Sequence, residues 1–356
     1  MTLTADRTDV LAERLFGAAL GTLELFSVYL GAELGLYRTL ERHGALNPAQ
    51  LGQRAGIAPR YALEWMEQQA VAGLLDVVDE STRTCALPPE HARVLCAEDD
   101  PAHVAPFAHM MAGIGGVLPR VADAYRTGAG VPYEAYGGEF RHGQGHINRP
   151  AFTSELPAEW LEAMPDVAAR LRTRPGARVA DVGCGQGWSS IAVAQAFPLV
   201  HIEGIDADPR SVMDARAHAA AAGLDGRVRF VEGDAAALGG GPYELILILE
   251  TLHDLPRPVE ALRAARAATV TGGAVLVADE RVADAFAAPG DEVERMMYGW
   301  SVTHCLPTQM VEDPSAALGT VIRSSRVREL AAEAGFAAID VLPVENDFFR
   351  LYRLHP

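Results

Sequence analysis

Val179-Ala180-Asp181-Val182-Gly183-Cys184-Gly185-Gln186-Gly187 decides the fold of the second half of this 356-residue chain. An apolar run suited to a strand gives way to three closely spaced glycines and then to a helical pattern near 188–197. Glycines at such a turn let the backbone come close to a ligand at the carboxyl edge of a parallel sheet. The spacing is G-x-G-x-G, with Trp188 where a dinucleotide fingerprint puts its third glycine, and this departure counts against NAD and FAD. Outward from this loop, strands are expected near 178–182, 201–205, 227–232, 243–249, 273–279, 337–343 and 347–353. Helices near 188–197, 209–222, 257–268 and 324–335 fall between most of them, which implies an α/β fold with a parallel sheet covered on both faces. Only Pro343 to Asn346 join the final two strands, too few residues for a crossover, so the last strand runs antiparallel. An insertion at about 281–322, rich in Met, aromatics and Pro, is long enough to carry function.

Two further strand ends carry acids. Asp206 closes Gly204-Ile205-Asp206, nineteen residues after Gly187, where a carboxylate takes both hydroxyls of a ribose. Asp234 closes the third strand in Val231-Glu232-Gly233-Asp234-Ala235 and can accept from an adenine amino group. Each aspartate alone reads equally as a helix N-cap. Together with the glycine loop they describe a site for an adenosine without a phosphate clamp, since no basic residue lies between Ala180 and Val200.

The first half has a different texture. Leu11, Leu15, Leu23, Phe26 and Leu30 recur at helical spacing within residues 10–42, and Ala18, Leu20 and Val28 widen the apolar stripe. A helix so broadly apolar has to be buried, and a partner subunit is one surface that can do it. Glu24 and Glu33 interrupt the stretch Leu15 to Leu36 and are costly at membrane depth, so a buried helix pair is expected and no membrane span. Asn47 caps a short helix from Pro48 to Ala55, a second runs from about Arg60 to Ala72 and ends at Gly73, and Leu74 to Val78 with Cys85 to Pro88 make a hairpin. This is a winged helix. Its second helix offers Arg60 and then Glu64, Glu67, Gln68 and Gln69, which gives DNA no basic face. The chain contains no lysine, all 30 basic residues are arginine, and the net charge is −17. That composition excludes lysine Schiff-base and P-loop chemistry and repels nucleic acid. Four scattered cysteines and a polar opening run, Met1 to Asp9, point to a reducing, cytoplasmic setting with no disulfide or zinc framework. The expected boundaries are 1–100 for the helical and winged-helix part, 101–170 for a helical connector around a loop from Val131 to Phe152, and 171–356 for the sheet domain. Gly143 and Gly145 argue against a helix that would bring His142 and His146 together, so no metal is expected there.

The chain resembles class I S-adenosylmethionine (SAM)-dependent methyltransferases. It is most similar to bacterial and plant small-molecule O-methyltransferases with an N-terminal winged-helix dimerisation domain. Asp181 to Gly187, Asp206, Asp234 and His253-Asp254 carry the resemblance. It implies a Rossmann-like sheet of order 3-2-1-4-5-7-6 with the last strand antiparallel. In that sheet Asp181, Gly183, Gly185 and Gly187 hold the methionine part of SAM, Asp206 the ribose and Asp234 the adenine. Ala235 and Glu250 are grouped with these cofactor residues. The product would be S-adenosylhomocysteine, no metal is required, and the winged helix implies a homodimer that helps close the pocket for a small-molecule acceptor.

A sulfonium methyl is already activated, so the protein mainly aligns and desolvates the nucleophile. A hydroxyl acceptor also needs a base whose pKa lies near the working pH, and His253, just past the fourth strand, is the candidate. Its alternative role is to cap the following helix. Glu280, ending the fifth strand, matches one acidic partner of that base by position, and the second partner is not placed. Met297, Tyr298, Trp300 and His304 of the insertion, with Tyr133, Tyr136 and Phe140, are candidates for a mostly apolar acceptor pocket. An N- or C-methyltransferase, a SAM-binding cyclase or rearrangement enzyme, and a winged-helix regulator are the alternatives.

Overall fold

A computed structural model describes residues 6–356, so most of the polar opening run, Met1 to Asp9, lies outside the described residues. The chain divides into two units: residues up to Gly115 with Gly138–Pro150, and Gly116–Gly137 with Ala151–Pro356. Residues of the connector expected over 101–170 fall in both units.

In the first unit Asp6 accepts the N–H of Thr8 and starts α1 (Arg7–Glu33), and Gly35, at φ 64°, turns the chain into α2 (Leu36–His43). Asn47 and Gln50 cap α3 (Pro48–Ala55) reciprocally, the arrangement that satisfies two of the four orphan N–H groups of a helix start. Next come α4 (Pro59–Val71), the antiparallel wing β1 (Asp76–Asp79) and β2 (Thr84–Ala86), and α5 (Pro89–Leu95). Leu36, Tyr37, Leu40, Leu51 and Met66 form the core of this winged helix.

The apolar face of α1 is not buried by its own chain: Leu15, Phe16 and Leu23 are 61%, 75% and 65% exposed, because only Leu25, Val28 and Tyr29 reach the core. By length and composition α1 is long and apolar enough to cross a membrane. The stretch Val131 to Phe152 is also not a loop, since it holds a 3-10 turn (Tyr133–Tyr136) and α7 (Gly137–Ile147). Gly143 serves close packing instead of breaking the helix. A Cβ there would lie 2.8 Å from both the Met110 nitrogen and the Pro106 oxygen of α6 (Pro106–Thr127).

In the second unit a wide-turn helical segment, Ala151–Trp160, leads to α8 (Pro165–Thr173). Then strands and helices alternate: β3 (Arg178–Val182), α9 (Trp188–Ala196), β4 (His201–Asp206), α10 (Pro209–Ala221), β5 (Val228–Glu232), β6 (Tyr243–Leu249), α11 (Pro258–Ala268) and β7 (Thr269–Glu280). The insertion contributes α12 (Glu292–Trp300) and α13 (Leu306–Gln309), and α14 (Ser324–Ala334), β8 (Ala338–Val341) and β9 (Phe349–His355) finish the chain. The seven strands lie in the order β5-β4-β3-β6-β7-β9-β8, with β9 antiparallel to both neighbours. This is the expected order 3-2-1-4-5-7-6. All seven residues of β6 are buried, as a central strand covered on both faces requires. Chain order reverses between β3 and β6, and the carboxyl ends on either side of such a switch point make a crevice.

Candidate active site

The glycine loop leaves β3 on one side of that crevice. Gly183, Gly185 and Gly187 have φ of 71°, 49° and 83°, the left-handed region that side chains resist. At Gly187 a Cβ would also lie 2.5 Å from the Phe230 ring. Asp206, at the end of β4, braces the loop: its Oδ2 accepts the N–H of Gly185 and its Oδ1 that of Asp208, both at 2.8 Å. Burial pushes its pKa up to about 6 against those two donors. Each oxygen keeps a second lone pair for a diol. Asp181 is turned inward instead, with Oδ2 accepting the hydroxyls of Ser189 and Ser190 at 2.6 Å each, and burial raises its pKa. Asp234 caps the short turn Ala235–Ala237 through the Ala236 N–H and pairs with Arg257, a partner absent from the sequence reading. Glu250 follows β6 with φ 50°, a left-handed backbone at a non-glycine residue.

Across the crevice, the turn after β6 carries His253. Its Nδ1 lies 2.8 Å from Oδ1 of Asp279, whose Oδ2 accepts the backbone N–H of His253 at 3.2 Å. The carboxylate hydrogen-bonded to the imidazole is thus Asp279, which fills the place of the second acidic partner that the sequence leaves open. The reason is strand parity. Asp279 falls on the same face of β7 as Val275 and Val277, which pack with Leu252 of the histidine's own turn, whereas Glu280 follows Leu276 and Ala278 on the other face. Glu280 still brings a carboxylate oxygen within 4.8 Å of donor atoms of His253 and Asp279. Its Oε2 is buried with no hydrogen-bond partner among the described residues, and burial together with the nearby charge of Glu250 raises its pKa well above the carboxylate range. Burial opposes charge on His253, but Asp279 and then Asp254 overcome it and hold its pKa well above the ordinary imidazole value. Asp254 places Oδ1 3.5 Å from Nε2 and accepts a hydrogen bond from Gln309, which comes from the insertion.

The acceptor candidates separate. Tyr133 and Tyr136 meet the His304 ring edge-on at 5.8 and 4.6 Å, and Tyr136 donates to the Thr303 carbonyl. Burial lowers the pKa of His304 to about 4 and raises that of its neighbour Cys305 to about 12. Met297 is buried, Trp300 is half-buried, and the hydroxyl of Tyr298, itself partly exposed, lies 3.4 Å from Arg323. Phe140 belongs to the first unit, buried against Gly113, and is not grouped with them. In that unit His142 and His146 do share a helix face, with ring centroids 4.0 Å apart, and Glu33, His109 and Glu139 have donor atoms within 4.8 Å of one another.

Residues 173–335 match a methyltransferase-domain family, and residues 22–97 match the Rv2258c-like winged HTH domain. The ubiquinone biosynthesis O-methyltransferase of Xanthomonas campestris pv. campestris is 37% identical over 113 residues, which cover 31% of this chain and 46% of that one. The chain thus spans less than half the length of this curated relative. Two solved structures match nearly end to end at 17% identity. An O-methyltransferase family protein from Burkholderia thailandensis has a TM-score of 0.69 over 99% of this chain and 98% of its own. Human N-acetylserotonin methyltransferase, solved with SAM, has 0.70 over 100% and 99%. The chain has the class I SAM-dependent methyltransferase fold, with an N-terminal winged-helix region.

Proposed function

We propose that the protein transfers a methyl group from SAM to a hydroxyl of a small molecule, leaving S-adenosylhomocysteine, with His253 removing the hydroxyl proton. The observation that carries this reading is the His253–Asp279 pair on the same sheet edge as the glycine loop. The residues there fit SAM: Asp206 is fixed by backbone donors with lone pairs to spare for a ribose, and the loop holds no cation that would clamp a phosphate. When bound, SAM supplies a sulfonium-activated methyl group. Gly183, Gly185 and Gly187 let the backbone approach it, Asp206 takes the ribose and Asp234 the adenine. Asp279 fixes the Nδ1–H tautomer of His253, which turns Nε2 into the proton acceptor, and then stabilises the imidazolium that forms. Asp181 acts through Ser189 and Ser190 on the first turn of α9. Tyr133, Tyr136, Met297 and His304 give the acceptor its apolar and aromatic walls.

Calorimetric titration with SAM and S-adenosylhomocysteine, repeated with Asp206→Ala, tests the cofactor site. Micromolar-range binding lost in the variant supports it, and no binding to the wild type sinks it. Mass-spectrometric screening of phenolic acceptors then reads the reaction as a gained methyl with stoichiometric S-adenosylhomocysteine. Product without S-adenosylhomocysteine favours a rearrangement enzyme.

The same reading extends to the assembly. Leu11, Leu15, Phe16, Leu20, Leu23, Phe26 and Leu30 leave an apolar stripe exposed along much of the 27 residues of α1, more than an isolated subunit leaves in water. A second copy of the chain is the occupant we propose. Sedimentation of the wild type as a monomer overturns this; Phe16→Asp with Leu23→Asp should convert a dimer to monomers. Four free, buried thiols favour a reducing, cytoplasmic setting.

A further inference from the structure

Both ring nitrogens of His253 face a carboxylate: Asp279 at 2.8 Å from Nδ1 and Asp254 at 3.5 Å from Nε2. The two carboxylates are held differently. Asp279 is fixed by its strand and by the N–H groups of His253 and Glu280. Asp254 sits in the turn after β6 and is 28% exposed, and its Oδ1 accepts the side-chain amide of Gln309 at 3.0 Å. Gln309 is almost completely buried and spans two segments, since its Oε1 accepts the N–H of Gly319 at 2.8 Å. The chain Gly319–Gln309–Asp254 thus joins both ends of the insertion's last stretch to the histidine's turn. Cys305, from the same insertion, has its sulfur within 4.8 Å of donor atoms of His253 and Asp254.

We propose that Gln309 is a positioning residue that holds Asp254 over Nε2 of His253, so that an acceptor hydroxyl must displace this carboxylate to reach the base. The inference rests on the reading of His253 as the base. A neutral imidazole that donates from Nδ1 to Asp279 presents a lone pair at Nε2, and a lone pair does not tolerate a carboxylate in front of it. The resting pair is therefore stable with a proton on Nε2, and the nitrogen that must receive a proton is covered. The groups facing the ring are Asp279 and Glu280 from β7, Asp254 from its own turn, and His304 and Cys305 from the insertion. Among these Asp254 is the one whose place is set by an uncharged side chain of the insertion. Entry of the acceptor is thereby coupled to movement of residues 301–320.

The test needs neither acceptor nor SAM. Diethyl pyrocarbonate acylates unprotonated, accessible imidazole, and peptide mapping by mass spectrometry isolates His253 from the other ten histidines. Gln309→Asn, one methylene too short to reach Asp254, should speed modification of His253 on the order of tenfold at neutral pH, because a carboxylate no longer held at Nε2 leaves the imidazole with a lower proton affinity. Asp254→Asn should speed it at least as much. The double variant should be no faster than Asp254→Asn alone, because Gln309 acts only through that carboxylate. Additive acceleration would mean general loosening and would overturn the proposal, as would an unchanged rate in Gln309→Asn. Should Gln309→Asn fail to fold, no acceleration in Asp254→Asn overturns it. Failure of the base reading shows elsewhere, as full methyl transfer by His253→Ala.

Discussion

The two sides of the crevice are built on different principles. On the β3–β5 side the acids are held mostly by backbone N–H groups and serine hydroxyls: Asp206 by the N–H groups of Gly185 and Asp208, Asp181 by two serines of the next helix turn, Asp234 by the N–H of Ala236. On the β6–β7 side the bonds join side chains far apart in sequence, His253 to Asp279 and Asp254 to Gln309. Ionisable groups there shift one another strongly, with His253 and Glu280 both pushed to bind protons more tightly. A ligand of constant shape is served by a rigid backbone cradle. A proton acceptor needs a tuned affinity, and tuning comes from charges that can be moved or removed one at a time.

The contrast breaks most sharply at His253. His253→Ala should lower kcat for a hydroxyl acceptor by about 10²–10⁴-fold, the usual worth of a general base, while leaving S-adenosylhomocysteine affinity within about twofold. Equal loss of both would show that the two sides are one cooperative unit. Retained turnover would mean a nitrogen or carbon acceptor. Next in size is Asp279→Asn. Asp279 raises the proton affinity of His253, so the rate should climb with pH until His253 loses its proton. Removing the carboxylate moves that climb to lower pH and weakens the base, and the rate at the plateau should fall by about tenfold or more. Stability follows the same sign. The pair's contribution is complete below the ordinary imidazole pKa and is lost as pH rises through the higher folded value. Thermal melts of wild type and Asp279→Asn should therefore differ at mildly acidic pH and converge in alkali.

How much of this was legible follows from the same contrast. The glycine loop and the Asn47 cap depend on residues close in sequence, and the strand order, which the family resemblance implies, is the one observed. Asp279, the partner that the sequence leaves unplaced, is found only when the face of β7 is weighed as well as position along it, since Val275, Val277 and Leu252 share its side of the sheet. Gln309 carries no local signal, for its partners are Asp254 and Gly319, and only the folded insertion unites them. Gly143 misled in the opposite sense. Read as a helix breaker, it is the residue that lets α7 approach α6. The apolar stripe of α1 was legible as needing cover, but a stripe does not say whether the cover comes from its own chain.

Asp234 is where the comparison can be drawn finest, because it has a local cap and a distant partner together. Its ion pair with Arg257 is 46% exposed on both sides, and such pairs are worth about 0–1 kcal/mol. Arg257→Ala should therefore change the melting temperature little and S-adenosylhomocysteine affinity by less than about threefold. Asp234→Ala removes both the turn cap and the proposed acceptor for the adenine amino group. One hydrogen bond of ordinary strength amounts to about 1 ± 0.5 kcal/mol, so affinity should fall roughly two- to thirteenfold, centred near fivefold. Calorimetry on the two variants separates the roles. If Asp234→Ala binds S-adenosylhomocysteine like wild type, the aspartate is a cap alone and adenine is held by backbone. If Arg257→Ala weakens binding as much as Asp234→Ala, the arginine orients the carboxylate, and a side-chain network extends to the side of the crevice where backbone otherwise does the holding.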